Sequence, residues 1–588
     1  MGKGVAAAAA AVLTVGCLVR SGPSPSKPIV EFPSAARLAT VESKPGTLPP
    51  IQSGEVPPEG WTVPSPELPA QPAPDVWAPR GPWEESFAGA YAASGKKAVF
   101  TRAMACAAGE VGRFYLEKQG PPPEALQRFL IAACGVFAPS VGYESLKGTL
   151  PAGASDEKVL PRWKDQIGSG LVARIPAGAK RAGFWFGRRG GNAIAMVVYE
   201  AAPVEVKPFS PVPDFNGDLA IEGRLQGGDA DYFAGYVNQG RFGVRRCLVD
   251  PSVPRPNFRV SCRMAADDET AWIQIVYAPP RSVLAQPIVQ VLARRDPRKP
   301  LVYTETSYAP SKPVSDAASF GPAVLVGLNA TRAQAGLQPV RLAEAQSATA
   351  ARVARQYFAA ALGPSGVGDV TAGALEDINT IALGLLAGWQ VVGTIRDGTF
   401  FSGLVPRTRD VGRWVDSALS LPIGRNALMA PEIDEVALGP ALFDDPHALG
   451  AIACGYRFHR DNDHTADVNQ VLERLTAARQ RMNLPPPVRL KGMDAVLRRE
   501  LARVQEGKWT PMTALHASLE EASGRYNAPT RGIVVEATSL DALEIPSQVL
   551  SQSNLQLEVG VTHYKPPGAA WAQLVIIVVY ISPVGLSI

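Results

Sequence analysis

Hydrophobic positions along this chain change period several times, and the changes divide it into blocks. Residues 99–118 and 123–134 carry apolar side chains at helical spacing. Residues 171–175, 181–187 and 193–199 read as strands, the last a nearly continuous apolar run. Residues 206–297 show a different pattern. Apolar and polar residues alternate over 218–225, 232–237, 242–248, 258–264 and 270–277, with Gly, Asp and Pro between the runs. That spacing predicts five or more strands in a small β-sandwich. Residues 314–460 and 465–588 each open with helical periodicity and close with strand-like runs. The final apolar run, 571–581, is rich in Val and Ile and too short to span a bilayer as a helix, so it predicts a buried central strand.

Two of these blocks repeat each other. Leu328-Asn329-Ala330-Thr331-Arg332 is followed by Gly336-Leu337-Gln338-Pro339-Val340-Arg341-Leu342. Leu475-Thr476-Ala477-Ala478-Arg479 is followed by Asn483-Leu484-Pro485-Pro486-Pro487-Val488-Arg489-Leu490. Each predicts a helix with Leu and Arg at i and i+4, a turn at Gly or Asn, a Pro-containing extended link and a second helix. Such self-similarity is the signature of repeated units. Residues 84–202 read as a looser third copy. The stretch from Glu124 to Gly135 resembles the one from Ala514 to Gly524, and the run 193–199 resembles 574–580.

Composition narrows the class. At 588 residues the chain has room for three or four domains, and a net charge of +4 without Lys/Arg runs does not indicate nucleic acid. Lys3 precedes a short apolar run, 5–15, that ends in Leu13-Thr14-Val15-Gly16-Cys17. This resembles a bacterial lipoprotein signal, with 1–16 removed and Cys17 acylated, although Leu lies one place further from the Cys than that signal prefers. Ordinary cleaved secretion and an uncleaved or cytosolic start remain the alternatives. Residues 17–83, dense in Pro, predict an extended linker without a core. Cys106 and Cys134 flank a predicted helical hairpin, and Cys247 and Cys262 flank a predicted β-hairpin with a Pro-rich tip. Both pairs suit disulfides in an oxidising compartment, leaving Cys454 as a buried thiol.

The block 314–460 resembles the CAP superfamily (cysteine-rich secretory, antigen 5 and pathogenesis-related 1 proteins). The opening Leu328…Arg332…Gly336…Pro339-Val340…Leu342 is similar to the family's first helix and link, and 350–354 to its second helix. Trp414-Val415-Asp416-Ser417, then 421–429 and Val436-Ala437-Leu438-Gly439, resemble its closing signature. The resemblance implies α-β-α sandwich modules, so the expected fold class is α+β: CAP-like modules at 84–202, 314–460 and 465–588 plus the β-sandwich. Family members carry a cleft of two His and two acids, able in some cases to hold a divalent metal. Here the His positions fall at Val353 and Gly424, with Val392-Gly393-Thr394 near the acidic segment, and the second helix of the last block, 496–504, has no His. Neither Val nor Gly can bind a metal or move a proton.

Other constellations read as structural. Asp214-Phe215-Asn216-Gly217-Asp218 starts like a calcium loop, but its Gly comes early and no Glu follows, so it predicts a turn. Gly363-Pro364-Ser365-Gly366-Val367 fails the nucleophile-elbow pattern at Val367. The basic turn 187–192 predicts a hairpin loop, with a phosphate nest as the alternative. His459 and His464 sit with Asp461 and Asp463 in a polar stretch expected to be a solvated linker, with a metal site as the alternative; His447 and His563 are expected in loops, and His516 in a helix as a structural His. The expectation is therefore an exported, membrane-anchored lipoprotein of the bacterial cell envelope, facing the periplasm or cell surface. It would be non-catalytic, without metal or cofactor, and would bind a protein, lipid or cell-wall ligand or serve a structural role, but not bind nucleic acid. A secreted hydrolase using an unrecognised site is the alternative.

Overall fold

The computed structural model describes residues 17–18, 35–49, 51, 54, 60–64, 77–151, 153–201, 203–226, 228, 230, 232–279, 285–362, 372–386, 395–458, 464–526, 530–537, 540, 543, 546–564 and 573–581. The chain is a mixed α+β protein whose strands fall in several small sheets. It divides into two compact units, one built mainly before residue 456 and the other from 456 onward.

The second unit is the simplest. Helix His464–Arg481 leads to the short strand Val488–Arg489, then helices Met493–Gln505 and Pro511–Tyr526. Strand Thr530–Ala537, the short helix Ser547–Leu550 and strands Gln556–Tyr564 and Gln573–Ile581 follow. Strand 573–581 lies between 530–537 and 556–564, antiparallel to both, and 488–489 runs parallel to 556–564 at the edge. Because side chains alternate across a strand, Leu574, Ile576, Val578 and Tyr580 face Val468, Val471 and Leu475 of the first helix. Val575, Ile577 and Val579 face Val496, Leu497, Leu501 and Leu515 of the next two helices. Helices thus cover both sheet faces, which explains why 574–580 is apolar at every position.

The same connectivity recurs twice in the first unit. Helix Pro82–Ala93, strand Val99–Phe100, helices Arg102–Lys118 and Glu124–Ala133, strand Gly142–Thr149, helix Asp156–Gln166 and strands Arg181–Arg189 and Asn192–Glu200 make the first module. Its sheet order is 99–100, 181–189, 192–200, 142–149, with the short edge strand again parallel. Ile194, Met196 and Val198 face one layer of helices, and Ala193, Ala195 and Val197 the other. In the middle module, helix Ala317–Gln334, strand Arg341–Leu342, helices Glu344–Ala361 and Ala372–Leu386, strand Ile395–Pro406, helices Val411–Leu419 and Pro422–Leu428, and strands Glu435–Asp444 and His447–Phe458 follow one another. Their sheet order, 395–406, 447–458, 435–444, 341–342, is the same arrangement.

Between the first two of these modules lie two four-stranded sheets. One contains Tyr232–Gln239, Gly243–Arg246, Thr270–Ala278 and Gln286–Arg294; the other contains Val204–Val206, Asp218–Leu225, Leu248–Val249 and Asn257–Arg263. Ile221, Val260 and Phe258 of one meet Val237, Ile273 and Val289 of the other in a shared core.

Three expectations need correction. Residues 17–83 are not simply an extended linker. Ala35–Glu42 is helical, and Arg352 Nε donates to Glu42 at 2.8 Å. Trp61–Val63 pairs antiparallel with Leu301–Tyr303, and Trp61 and Val63 are buried in the first module's core. Isolated apolar anchors among prolines have no period, so only their tertiary partners reveal them. Residues 171–175 are helical turns rather than a strand: Ile167–Leu171 and Val172–Arg174 continue helix 156–166, with Ile167, Leu171 and Val172 in the core. Short apolar runs do not distinguish the two states. Third, His563 is not in a loop. It sits in strand Gln556–Tyr564, 8% exposed.

Candidate functional site

The repeated Arg is the strongest sequence signal, and its geometry explains the repetition. Arg332 and Arg479 are both fully buried. Arg332 Nε donates to the Gln338 carbonyl (2.8 Å), and its Nη1 to those of Leu428 (2.8 Å) and Ala430 (3.3 Å). Arg479 Nε donates to Pro485 (2.8 Å), and Nη1 to Leu550 and Gln552 (2.7 Å each). In both modules one guanidinium holds the link six residues on and the segment that precedes the parallel-paired strand. A planar guanidinium has donors in a fixed fork, so it can serve several carbonyls that helix ends leave open.

The first module divides that task. Gly95, Gly336 and Asn483 all have positive φ at the turn after the first helix. Four residues earlier stand Tyr91, Arg332 and Arg479, and four before those Phe87, Leu328 and Leu475. The Tyr91 hydroxyl accepts from Ala98 N (2.7 Å), holding the link. Lys96 Nζ donates to the carbonyls of Ala173 (2.9 Å) and Ile175, holding the segment before strand 181–189. Burial pushes the Lys96 amine below its usual pKa.

A second shared contact lies on the opposite sheet face. The fifth residue of the strand beside the short parallel strand meets the second helix in each module. Gly439 lies against Ala350 and Gly560 against Leu497, while Trp185 lies against Gly109 and Gly112. Each contact sets at least one glycine against its partner, on the strand in the last two modules and on the helix in the first, where Trp185 is the large residue.

The positions where the CAP resemblance puts histidines are closed. Val353 is 2% exposed, on the helix that packs on the sheet through Ala350. Gly424 belongs to helix 422–428, whose Ile423, Ala427 and Leu428 pack in the core on the other face. A Cβ at Gly424 would stand inside van der Waals contact with the Ala418 carbonyl. The neighbouring Arg425 is tied to Leu419 O (2.7 Å), Gly240 O (3.0 Å), Gly243 O (3.0 Å) and the Tyr308 hydroxyl (2.9 Å). This signature segment therefore docks onto the β-sandwich. In the last module the residue matching Val353, twelve places after the start of the short strand, is Glu500. It is 1% exposed, and Arg499 Nε (2.6 Å) and Arg503 Nη1 (2.9 Å) donate to it. Glu500 carries no signal of its own in the sequence, because only the shared register aligns it with Val353.

The remaining polar candidates are tied into structure. His464 is not in a solvated linker but opens its helix, half-buried because its Nδ1 lies 3.2 Å from Val561 O and its Nε2 3.5 Å from Asp494. Burial pushes His563 down to about 4. His447 is the exposed first residue of a strand rather than a loop residue, and His516 is exposed on its helix. Asp214 Oδ1 accepts from the backbone of Asn216 (2.9 Å) and Asp218 (2.8 Å), which makes a turn of the calcium-like sequence. Residues 187–192 form the hairpin between two strands. His459, Val392-Gly393-Thr394 and the segment 363–367 lie outside the described residues. No group of three metal-ligating side chains converges among the described residues.

The cysteines pair as their positions indicated. Cys106 and Cys134 form one disulfide (Cα–Cα 5.7 Å) and Cys247 and Cys262 another (4.5 Å), while Cys454 is buried in strand 447–458 without a disulfide. Cys17 and Leu18 pair antiparallel with Phe400 and Thr399 at the edge of the middle sheet. Among the described residues no helix is long and apolar enough to cross a membrane. No protein-family model matches this chain, and no curated protein matches it.

Proposed function

We propose that this chain is a non-catalytic, exported bacterial lipoprotein, built from three CAP-like modules and a β-sandwich, that binds a ligand or organises the cell envelope. One observation carries the reading. The three modules keep the contacts that make the fold and vary where the family would keep its chemistry. The link and pre-strand carbonyls are held by Arg332, by Arg479, or by Tyr91 with Lys96. The position of the first cleft His is Val353 in one module and a salt-bridged Glu500 in another. A repeated scaffold retained without a repeated reactive group serves recognition or architecture more naturally than turnover. The helix-covered four-stranded sheets support the CAP-like assignment, and the two disulfides support export.

Fractionation tests the anchor. Cys17→Ser moves the protein from membrane to soluble fraction, because the acyl chains supply the membrane affinity; an unchanged distribution refutes lipidation. Elemental analysis tests the chemistry. The purified protein contains no stoichiometric zinc, and added zinc leaves its Tm unchanged, since a bound ion would stabilise the folded state. One zinc per chain, lost when residues beside Val353 or Gly424 are changed, overturns the non-catalytic reading.

A further inference from the structure

One face of a β-sandwich sheet carries buried polar atoms that have no hydrogen-bond partner among the described residues. Strands 232–239, 270–278 and 286–294 are in register, so that Asn238, Trp272 and Leu292 form one row across this face. Arg294 follows Leu292 by two residues on the same side. The next row in the other direction, Gln274 and Gln290, is closed: Gln274 Nε2 donates to Gln290 Oε1 at 3.0 Å, and Gln274 Oε1 accepts from Ile423 N at 3.2 Å. Arg294 is different. It is 2% exposed, and neither Nη1 nor Nη2 has a hydrogen-bond partner among the described residues. Asn238 donates through Nδ2 to Ser420 O at 3.3 Å, yet its buried Oδ1 accepts from no donor among the described residues. Trp272, half-buried, lies between these two groups, and it packs with Leu292 against the first module's core.

An arginine cannot shed its proton, so burying its fork unpaired is among the costliest arrangements in a protein interior. The matching species is an oxyanion with two acceptor atoms. Asn238 Oδ1, in turn, needs a donor. Two strand spacings and two residues along the strand separate the Cα atoms of Arg294 and Asn238 by roughly 12 Å. We infer that this face is a binding site for a small peptide-like carboxylate, its carboxylate on the Arg294 fork, its body across Trp272 and an N–H on Asn238 Oδ1. The site does not depend on the CAP-like reading, because it lies on the β-sandwich.

The test uses the full chain, with the dipeptide alanyl-alanine as probe and acetamide and inorganic phosphate as controls, read by thermal unfolding and by titration of Trp fluorescence. In wild-type protein the dipeptide raises Tm by a few degrees at about 10 mM, as mass action requires for millimolar affinity. Arg294→Met keeps the apolar stem and removes the charge. It leaves the unliganded Tm unchanged or higher, and it abolishes the response to the dipeptide. Asn238→Leu weakens that response about tenfold, the loss of one buried hydrogen bond. Trp272→Phe removes the fluorescence change and retains the Tm shift. No wild-type response to the dipeptide overturns the proposal, and a lower unliganded Tm in Arg294→Met then makes Arg294 a water-satisfied structural residue. An equal response to acetamide, or to phosphate in both proteins, overturns it as non-specific.

Discussion

The first and last modules solve one structural problem with different chemistry. Both must hold the link after the first helix and the segment before the strand that pairs with the short parallel strand. The last module does so with Arg479, buried and donating to the carbonyls of Pro485, Leu550 and Gln552. The first uses Tyr91 for the link and Lys96 for the carbonyls, and adds the Cys106–Cys134 disulfide between its second and third helices. The difference teaches that the fold demands satisfied carbonyls at these places, not a particular residue. A single rigid fork can meet the demand alone. A flexible amine meets half of it, and the covalent staple lies in the same module.

Breaking this comparison starts with the arginines. Arg479→Ala and Arg332→Ala each leave several buried carbonyls open and a large void, so each should cost about 3–5 kcal/mol, measured as the urea midpoint of the affected unit. A loss under 1 kcal/mol would mean that the clamp is dispensable. Removing the staple should cost the first module about 3 kcal/mol in the chain-entropy model. Cys106→Ala/Cys134→Ala should therefore lower its unfolding midpoint markedly while the second unit's transition stays in place.

The eighth residue of the parallel-paired strand separates the modules further: Arg188, Leu442 and His563. His563, held down near 4, resists protonation in the folded state. Its contribution is present above the unfolded pKa of about 6.5 and is lost as pH falls towards 4, by at most about 3 kcal/mol. His563→Leu, which copies the middle module, should flatten the second unit's stability between pH 7 and pH 4. An unchanged acid limb would remove His563 from the account. The smallest effect belongs to Lys96→Ala, about 1 kcal/mol, since a partly solvated amine gains less from its carbonyls than a buried fork. A cost equal to that of Arg479→Ala would show that the two solutions are energetically the same.

The repeat was legible because it rests on local pattern. Leu328/Arg332 and Leu475/Arg479 sit one helical turn apart before a turn residue, and the apolar runs 193–199 and 574–580 are central strands covered on both faces. The disulfides followed from proximity in sequence. Other features carried no such period. Strand 142–149 is an edge strand broken by Gly142, Glu144, Lys147 and Gly148, so it shows no clear strand period. Glu500 reads as one charge among several on an arginine-rich helix until strand register aligns it with Val353.

The sequence by itself determined the opening helices, the central apolar strands, the threefold likeness and the cysteine pairs, since periodicity, turn residues and short separations act over a few residues. Tertiary structure alone decided which residues have partners. Helix 35–42 and strand 61–63 exist as docked elements because Arg352 and the 301–303 strand meet them, and a proline-rich sequence shows neither. Likewise, Arg294 is an ordinary strand-end arginine in the sequence. Only the burial of its fork, with no acceptor among the described residues to receive its protons, sets it apart.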